Sequence, residues 1–406
     1  MPAALTGLMR AAGELVRTRG QSLYLVGGVV RDLLLGRTNL DIDLVVEGDA
    51  VALAQELALS RGARITVHRH FGTAKLQWDD LSVDLATARS ETYARPGALP
   101  TVKPGSIHDD LHRRDFTVNA IAVQLAPGHY GELLDPYGGR ADLERKLIRV
   151  LHEKSFIDDA TRIWRGIRYE QRLDFQMEPD TLELVRRDRE MLVSISGDRI
   201  RHELELVLTE DSPEQALRRA DELGVLARLH PSLRGNGWLA NSFERARQSG
   251  STDPPYLALY LALLAYRLSV KESEQFISYL RLPKATAQLL RDTLAIKEKL
   301  EILSAPDLKP GGIYAALHGY GAMALNTSLL ATDSPLARER IRLFMSKLRY
   351  VRPALGGDDL KRMGITEGPL IKEVLNRLRN ARLDGKVRSK QNEEEMVRRL
   401  LNRDNS

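Results

Sequence analysis

The pattern of apolar and polar positions over the first sixty residues predicts a rapid succession of helices and strands. Apolar residues recur every three or four positions over 3–19, which is typical of an amphipathic helix. A short apolar run over 23–26 predicts a buried strand, and the Gly27-Gly28 pair predicts a turn into a second helix over 29–35. The stretch continues with a helix stop at Gly36, a strand over 40–46 and a helix over 50–61.

The pattern changes after residue 61, and it changes again near residue 156. Further strands are expected over 63–69, 74–77, 81–86 and 121–125, with a long Pro- and Gly-containing loop over 88–110 and a helix over 140–146. From residue 156 to the end the periodicity is helical throughout. The chain is therefore expected to have an α+β N-terminal part followed by an all-α part.

Composition limits the class of protein. A chain of 406 residues exceeds one ordinary hydrophobic core and predicts two or more domains. The absence of cysteine excludes disulfides, thiolate metal sites and a cysteine nucleophile. The N-terminus lacks the basic and apolar regions of a signal peptide, and the longest apolar run, 256–266, is too short to span a membrane. We therefore expect a cytoplasmic protein without membrane contact.

Charge is distributed unevenly along the chain. Residues 338–406 carry 18 Lys and Arg against 10 Asp and Glu, a local charge of +8 within a total of +5. A basic C-terminal segment can be a solvated helical surface, or it can hold a polyanion such as RNA. The candidate chemistry at the other end of the chain favours RNA.

Residues 27–43 contain two features that together indicate nucleotidyl transfer. Asp41 and Asp43 are two apart in a predicted strand, so they share a face and repel each other unless a cation lies between them. Oxygen ligands of this kind suit Mg²⁺, which takes the rest of its shell from water and substrate phosphates. Gly27 and Gly28 allow backbone N–H groups to approach a phosphate at a helix start. Either feature alone is an ordinary turn or a solvated aspartate pair, but their succession points to a site.

A second group of candidates lies further along the chain. Asp84, near the end of a predicted strand, is a possible third carboxylate for the metal. Arg114 and Asn119 belong to the octapeptide Arg-Arg-Asp-Phe-Thr-Val-Asn-Ala over 113–120, which adjoins the strand predicted over 121–125. A simple ion pair between Arg114 and Asp115 is the alternative explanation for these polar residues.

Four charged residues at a spacing of three predict a stripe on one helix, and their chemistry suggests a reader of bases. An aspartate accepts from an exocyclic amino group while an arginine donates to the neighbouring ring nitrogen, a pattern that cytosine and adenine satisfy. Uracil and guanine present the reverse pattern and would leave both protein groups unpaired. The alternative is a solvated helix face with one ion pair. The residues of the stripe are Asp159, Arg162, Arg165 and Arg168.

These segments resemble the motifs of the DNA polymerase β-like nucleotidyltransferases. The stretch 24–47 is similar to the signature of their class II branch, the bacterial CCA-adding enzymes and poly(A) polymerases. The segments 113–120, 158–169 and 196–204 resemble further motifs of that branch, although the family usually has Glu where this chain has Asp158.

The resemblance implies a domain order and a set of roles. It implies a catalytic nucleotidyltransferase head (1–140), a helical neck with the nucleotide-reading motif (141–210), a helical body (211–337) and a basic, tRNA-binding tail (338–406). Asp41 and Asp43 would be catalytic and would hold Mg²⁺. The nucleotide would be bound by Gly27, Gly28, Arg31, Arg114, Asn119, Asp159, Arg162, Arg165 and Arg168.

The expected activity is template-independent addition of C and A from CTP and ATP to the 3′ end of tRNA, with release of pyrophosphate. The resemblance also implies that enzymes adding only CC lack part of the 88–110 loop, which is complete here, so that activity is the least favoured. Addition of A alone, and poly(A) synthesis, stay open. A non-catalytic RNA-binding relative is disfavoured by the intact aspartate pair, and a small-molecule nucleotidyltransferase by the basic tail.

Overall fold

The computed structural model describes residues 3–78, 81–95, 97–98, 100–249, 256–365 and 368–404. The chain divides into two compact units, Met1–Arg228 and Leu229–Ser406. This division is coarser than the four predicted domains, because the first unit takes in the predicted head and neck together with residues up to 228.

The first unit starts with helices and strands in close succession and ends with helices. Its first elements are α1 (Ala3–Thr18), β1 (Ser22–Val26), α2 (Gly28–Leu34), β2 (Ile42–Glu47), α3 (Ala50–Arg61), β3 (Arg64–His68), β4 (Thr73–Trp78), β5 (Leu81–Thr87), β6 (Arg89–Thr92), β7 (Thr101–Pro104), α4 (Ile107–His112), β8 (Ala122–Gln124) and β9 (Leu133–Leu134). Its remaining elements are α5 (Gly139–Glu144), β10 (Leu147–Ile148), α6 (Ser155–Asp158), α7 (Thr161–Leu173), β11 (Gln176–Met177), α8 (Pro179–Asp188), α9 (Gly197–Leu208) and α10 (Pro213–Glu222).

Within the described residues one mixed sheet of seven strands carries the first unit, in the order β3-β4-β5-β2-β1-β8-β9. Its strands pair antiparallel except β2 and β5, which run parallel. Alternation along these strands sends Leu44 and Leu85 into the core beneath α3, where Leu53 is fully buried. The aspartates between these apolar positions consequently face the opposite side of the sheet.

Two parts of the first unit differ from the sequence-based expectation. The segment 88–110 was expected to be a loop, but β6 and β7 form an antiparallel hairpin within it and α4 begins before its end. The helical pattern expected from residue 156 onward is interrupted by β11, which pairs parallel with β10. Both differences are strand pairings, which depend on partners that a local pattern does not contain. The predicted α+β head followed by helices is confirmed.

The second unit is helical. Its helices are α11 (Gly237–Gln248), α12 (Tyr256–Ala265), α13 (Val270–Tyr279), α14 (Lys284–Glu298), α15 (Leu300–Leu303), α16 (Pro310–Leu317), α17 (Ala322–Ala331), α18 (Pro335–Ser346), α19 (Gly357–Arg362), α20 (Gly368–Leu383) and α21 (Lys390–Asp404).

Two apolar clusters organise the second half of this unit. One includes Ala337, Ile341 and Phe344 of α18 together with Leu317 of α16. The other includes Leu360, Leu378 and Val397, from α19, α20 and α21. The boundary predicted between body and tail, at 337/338, therefore falls inside α18, whose two halves bury their side chains in the same cluster.

Among the helices that the structure describes, none combines the length and apolarity needed to cross a lipid bilayer. The cytoplasmic location expected from the sequence stays a prediction.

Candidate active site

The turn between β1 and α2 brings the backbone against the charged groups of the site. Gly27 has φ +81°, a conformation that residues with a Cβ rarely adopt. A Cβ there would lie 3.0 Å from Nη1 of Arg114 and 3.3 Å from Oδ2 of Asp43. Glycine is thus required twice, for the backbone angle and for the close approach of carboxylate and guanidinium.

The carboxylates lie where β2 and β5 run side by side. Asp43 and Asp84 are direct partners in the parallel register, and Asp41 immediately precedes β2, which begins at Ile42 and not at Leu40 as expected. One oxygen of Asp84 accepts a hydrogen bond from Nζ of Lys75 on β4 at 3.1 Å. Within the described part of the chain, no three acidic or histidine side chains are grouped closely enough to hold a metal ion.

Asp43 is a largely buried carboxylate with other carboxylates beside it. Burial, followed by repulsion from Asp41, raises its pKa to about 6; Asp84 adds to the rise, and the cations of Arg114 and Lys75 oppose it. A cation bound between Asp41 and Asp43 would remove this repulsion. The hard oxygen donors and their mutual repulsion therefore fit a divalent metal.

The raised pKa of Asp43 gives a prediction for the protein without metal. The folded-state pKa lies above the ordinary value of 3.8, so the free energy of unfolding falls as the pH rises from about 3.8 to about 6, and the loss is complete above that range. Asp43→Asn should raise the thermal unfolding midpoint in EDTA at pH 7.5 by a few degrees, equivalent to about 1–3 kcal/mol. Below about pH 3.8, where Asp43 is protonated in the folded protein and largely protonated in the unfolded chain, the difference between the two proteins should almost disappear. A variant that is less stable at pH 7.5 would contradict this electrostatic description.

Arg114 is held by a carboxylate buried beneath it. Asp110 of α4 is fully buried, and its Oδ2 accepts from Nη2 of Arg114 at 3.0 Å. Its Oδ1 accepts two hydrogen bonds from Arg113, at 2.7 and 3.0 Å. Arg113 also donates to Glu91 of β6 at 3.2 Å, so the hairpin β6–β7 is bonded to the same network.

Arg31 and Asn119 lie beside the turn and bind each other. Nη1 of Arg31 donates to Oδ1 of Asn119 at 2.8 Å, and its Nε donates to Asp32 at 2.8 Å. Nδ2 of Asn119 donates in turn to Asp115 at 3.0 Å. Arg31 is only 4% exposed, so its N–H groups donate to other residues of the protein in this conformation. This placement suits a pair of residues that support the Gly27 turn.

The prediction that four charged residues share one helix is wrong for the first of them, Asp159. Helix α7 begins at Thr161, and Asp159 lies before it in extended conformation. Oδ1 of Asp159 accepts from the backbone N–H of Thr161 at 3.0 Å, a local turn that competes with helical backbone at this point. Arg162, in the first turn of α7, donates to Ser155 and to the carbonyl of Arg113.

Arg165 and Arg168 are directed to different places. Nε of Arg165 donates to Glu203 at 2.8 Å, and burial lowers its pKa less than Glu203 and Asp115 raise it, so that it stays charged. Arg168 instead donates to Glu210 at 3.4 Å and lines a separate cavity of about 160 Å³.

A cavity of about 370 Å³ collects four of the predicted residues, Arg114, Asp159, Arg162 and Arg165. Its volume is in the range of small-molecule sites. Arg114 joins this cavity to the carboxylates, since its guanidinium also lies against Gly27. The other lining residues are Arg89, Glu91, Tyr93, Pro100, Arg113, Asp115 and Arg199.

Sequence reasoning assigned no role to most of these additional residues. Arg113 and Asp115 stand in the recognised octapeptide, and Arg199 stands in the stretch 196–204, so motifs could have indicated them. Glu91 and Tyr93 had no such signal. Burial and then Glu91 raise the pKa of Tyr93 to about 12, so its hydroxyl stays protonated and donates to Glu91 at 3.0 Å.

Comparison with known proteins places this architecture in a family. Residues 23–149 match the family described as the poly A polymerase head domain, and residues 174–235 match the probable RNA and SrmB- binding site of polymerase A. The chain is 32% identical to an A-adding tRNA nucleotidyltransferase of Halalkalibacterium halodurans, covering 97% of this chain and 92% of the relative. It is 31% identical to a CCA-adding enzyme of Geobacillus stearothermophilus, covering 94% and 93%. An A-adding relative from Geobacter sulfurreducens is 35% identical, but the chain spans only 47% of its length.

Solved structures agree with these relatives. An apo CCA-adding enzyme superposes with a TM-score of 0.84 at 32% identity, over 98% of this chain and 96% of the other. The Thermotoga maritima CCA-adding enzyme in complex with tRNA gives a TM-score of 0.78 at 30% identity, over 99% and 96%. The resemblance seen in the sequence motifs is confirmed: the chain belongs to the class II tRNA nucleotidyltransferase and poly(A) polymerase family, whose members are enzymes.

Proposed function

We propose that the protein adds C and A nucleotides from CTP and ATP to the 3′ end of tRNA, releasing pyrophosphate. The observation that carries this proposal is one cavity whose wall includes Asp159, Arg162 and Arg114. The guanidinium of Arg114 lies beside Gly27, and the Asp43 carboxylate lies beside the same glycine. A base in this cavity would place its triphosphate towards Gly27. The relatives and the structures named above support the reaction class.

We propose that Asp41 and Asp43 hold Mg²⁺. Bound there, Mg²⁺ would lower the pKa of the RNA 3′-hydroxyl and stabilise the leaving pyrophosphate. Asp84 stands in register with Asp43 and is the further candidate ligand, although one of its oxygens is bonded to Lys75. The carboxylates carry the negative charge that attracts the metal, and Arg114 offsets part of it beside the incoming phosphates.

The remaining side chains divide between phosphate, sugar and base. The backbone of Gly27 and Gly28, together with Arg114, would hold the triphosphate. Arg165 also lines the 370 Å³ cavity and would add positive charge there. Arg31 and Asn119 would support the site through their mutual hydrogen bond. Arg168 lines a separate cavity, and its role in nucleotide binding stays a prediction.

Base choice would rest on Asp159 and Arg162. Cytosine presents the N4 amino group beside N3, and adenine presents N6 beside N1, so each meets an acceptor and a donor at once. Uracil and guanine present an oxygen beside an N–H and would leave the buried carboxylate and guanidinium unpaired. One pair of side chains can therefore accept C and A and reject U and G.

Addition of A alone is the second candidate, because two of the relatives named above are A-adding enzymes. The site residues are suited to either activity, since the same edge contacts serve both bases. A CC-adding relative from Deinococcus radiodurans is also 33% identical, covering 98% of this chain and 93% of the relative. The expected loop at 88–110 is present here as a hairpin and a helix, which disfavours the CC-only activity.

The deciding experiment supplies three tRNA transcripts, ending at the discriminator base, at C and at CC, with labelled CTP or ATP. Full CCA addition predicts C incorporation on the first two transcripts and A incorporation on the third. An A-only enzyme labels the third transcript alone, and a poly(A) polymerase extends it repeatedly. No incorporation on any of them would refute the proposed function.

We further propose that the basic C-terminal segment binds tRNA, and we expect the affinity to fall steeply with salt. Lys386, Arg388 and Arg398 are exposed on the α20–α21 region. Replacing all three by Gln should weaken tRNA binding and reduce the slope of log K against log salt, by up to about 0.7–0.9 for each lost phosphate contact. Binding titrations at several salt concentrations measure this.

Point substitutions are preferable to truncation after residue 337, because that cut would open the apolar cluster around Phe344. A matched control removes three exposed lysines from the body of the same unit and should leave the slope unchanged. Equal effects of the two triple variants would show that only net charge matters, and would contradict a tail-specific site. The control residues are Lys271, Lys284 and Lys309.

A further inference from the structure

Arg199 makes a contact that gives it a role in nucleotide choice. It lies in the first turn of α9, forty residues after Asp159 along the chain. Its Nη2 donates to Oδ1 of Asp159 at 2.8 Å, and its Nη1 lies 3.4 Å from the carbonyl oxygen of Gly97. The guanidinium is therefore held from two sides at the wall of the 370 Å³ cavity.

The two oxygens of Asp159 are used unequally. Oδ1 accepts from the N–H of Thr161 at 3.0 Å, from its Oγ1 at 2.6 Å and from Arg199 at 2.8 Å. Within the described part of the chain, no donor is bonded to Oδ2. Asp159 is 8% exposed and lines the 370 Å³ cavity, so this oxygen is open to a ligand that enters there. Oδ2 is thus the one acceptor left for a ligand.

Thr161 and Arg199 contribute differently to this arrangement. Both donors of Thr161 are local, and they hold only Oδ1 against the start of α7. Arg199 approaches from a separate helix and opposes rotation of the carboxylate plane. Its charge also compensates for the loss of hydration that burial imposes on Asp159. Without Arg199, the other cations at the cavity wall include Arg165 and Arg162, the latter being the other half of the proposed base reader.

We propose that Arg199 is a positioning residue for base selection: it fixes the Asp159 carboxylate so that Oδ2 alone faces the exocyclic amino group of the incoming nucleotide. This inference rests on the proposed function, in which Asp159 reads the base. A carboxylate free to turn would pair with Arg162 or meet other base edges, and the penalty against U and G would shrink. Arg199 acts through Asp159 and needs no contact with the nucleotide.

The test is Arg199→Met, assayed for kcat/KM with each of the four nucleotides on one tRNA substrate. We expect the preference for the accepted nucleotides over UTP and GTP to fall at least about tenfold, with a smaller loss in Arg199→Lys, which can restore a charged donor to Asp159. The preference is a ratio within one preparation, so a partly unfolded fraction does not affect it. If all four nucleotides slow equally, Arg199 is a phosphate-binding or structural residue and the inference fails.

Arg201 supplies the matched control on the same helix. It pairs with Asp198 at 3.1 Å and Glu205 at 3.5 Å, and it is not among the residues lining the cavity. Arg201→Met removes the same side chain type and should leave the preference within about twofold of the parent. An equal loss of preference in this variant would mean that α9 acts as a whole and would overturn a specific role for Arg199.

A parallel variant separates this inference from the proposed function. If Asp159→Ala leaves nucleotide preference intact, the proposed base reader fails, whatever Arg199 does. If Asp159→Ala relaxes preference and Arg199→Met does not, only the role of Arg199 fails. The double variant should match Asp159→Ala, since a residue acting solely through Asp159 adds no further loss.

Discussion

Asp43→Ala is expected to lower nucleotide incorporation by more than about a hundredfold at saturating Mg²⁺, and Asp41→Ala should behave alike. The two carboxylates lie together at the start of β2, and their repulsion is what a bound cation would relieve. Removing either carboxylate would leave a bound metal with only one ligand of the pair. The metal would then no longer be held where it could act on both the attacking hydroxyl and the leaving pyrophosphate. Single-turnover incorporation with labelled ATP measures the effect directly.

Affinity for tRNA should change little in these variants, because the RNA is expected to be held mainly by basic surface far along the chain. Asp180→Ala, an exposed aspartate in the first turn of α8, is a suitable control and should retain normal incorporation. Asp84→Ala adds information, since a loss as large as that of Asp43→Ala would identify Asp84 as a third ligand. Incorporation within tenfold of the parent after removal of Asp43 would refute its assignment.

Asp159→Ala is expected to relax nucleotide choice, raising UTP and GTP use relative to CTP and ATP by about ten- to a hundredfold. The change removes a carboxylate that accepts a hydrogen bond from the amino group of cytosine or adenine. The same carboxylate repels the carbonyl oxygens of uracil and guanine. Arg162 stays and can donate to those oxygens, so the rejected bases regain a partner. The overall rate should fall less than in Asp43→Ala, because the metal and phosphate groups are intact.

Incorporation of all four nucleotides, measured separately and in competition, checks this prediction. Asp198→Ala removes a neighbouring aspartate that pairs with Arg201 outside the cavity, and it should preserve the preference. If Asp159 were only an ion-pair partner stabilising the start of α7, its loss would lower stability and leave choice unchanged. Unchanged preference at near-normal rates would therefore remove Asp159 from the site.

Relations between residues close in the chain were predictable because local geometry determines them. The run from Gly27 to Asp43 needs only a turn, a short helix and a strand, and backbone sterics with strand periodicity fix how these expose their groups. The α+β head, the helical remainder and most element positions followed from the same local periodicities. Local reasoning failed at Asp159, where a side-chain hydrogen bond to the N–H of Thr161 delays the start of α7.

Only the tertiary structure decided which partner each buried charge takes. Arg31 bonds Asn119, 88 residues away, and Arg168 bonds Glu210, 42 residues away, so neither direction follows from helical spacing. Arg199 reaches Asp159 across 40 residues. A buried guanidinium or carboxylate must find a partner, since leaving it unpaired costs several kcal/mol. The requirement is visible in the sequence, but the choice among many arginines and acids depends on how strands pair and helices pack.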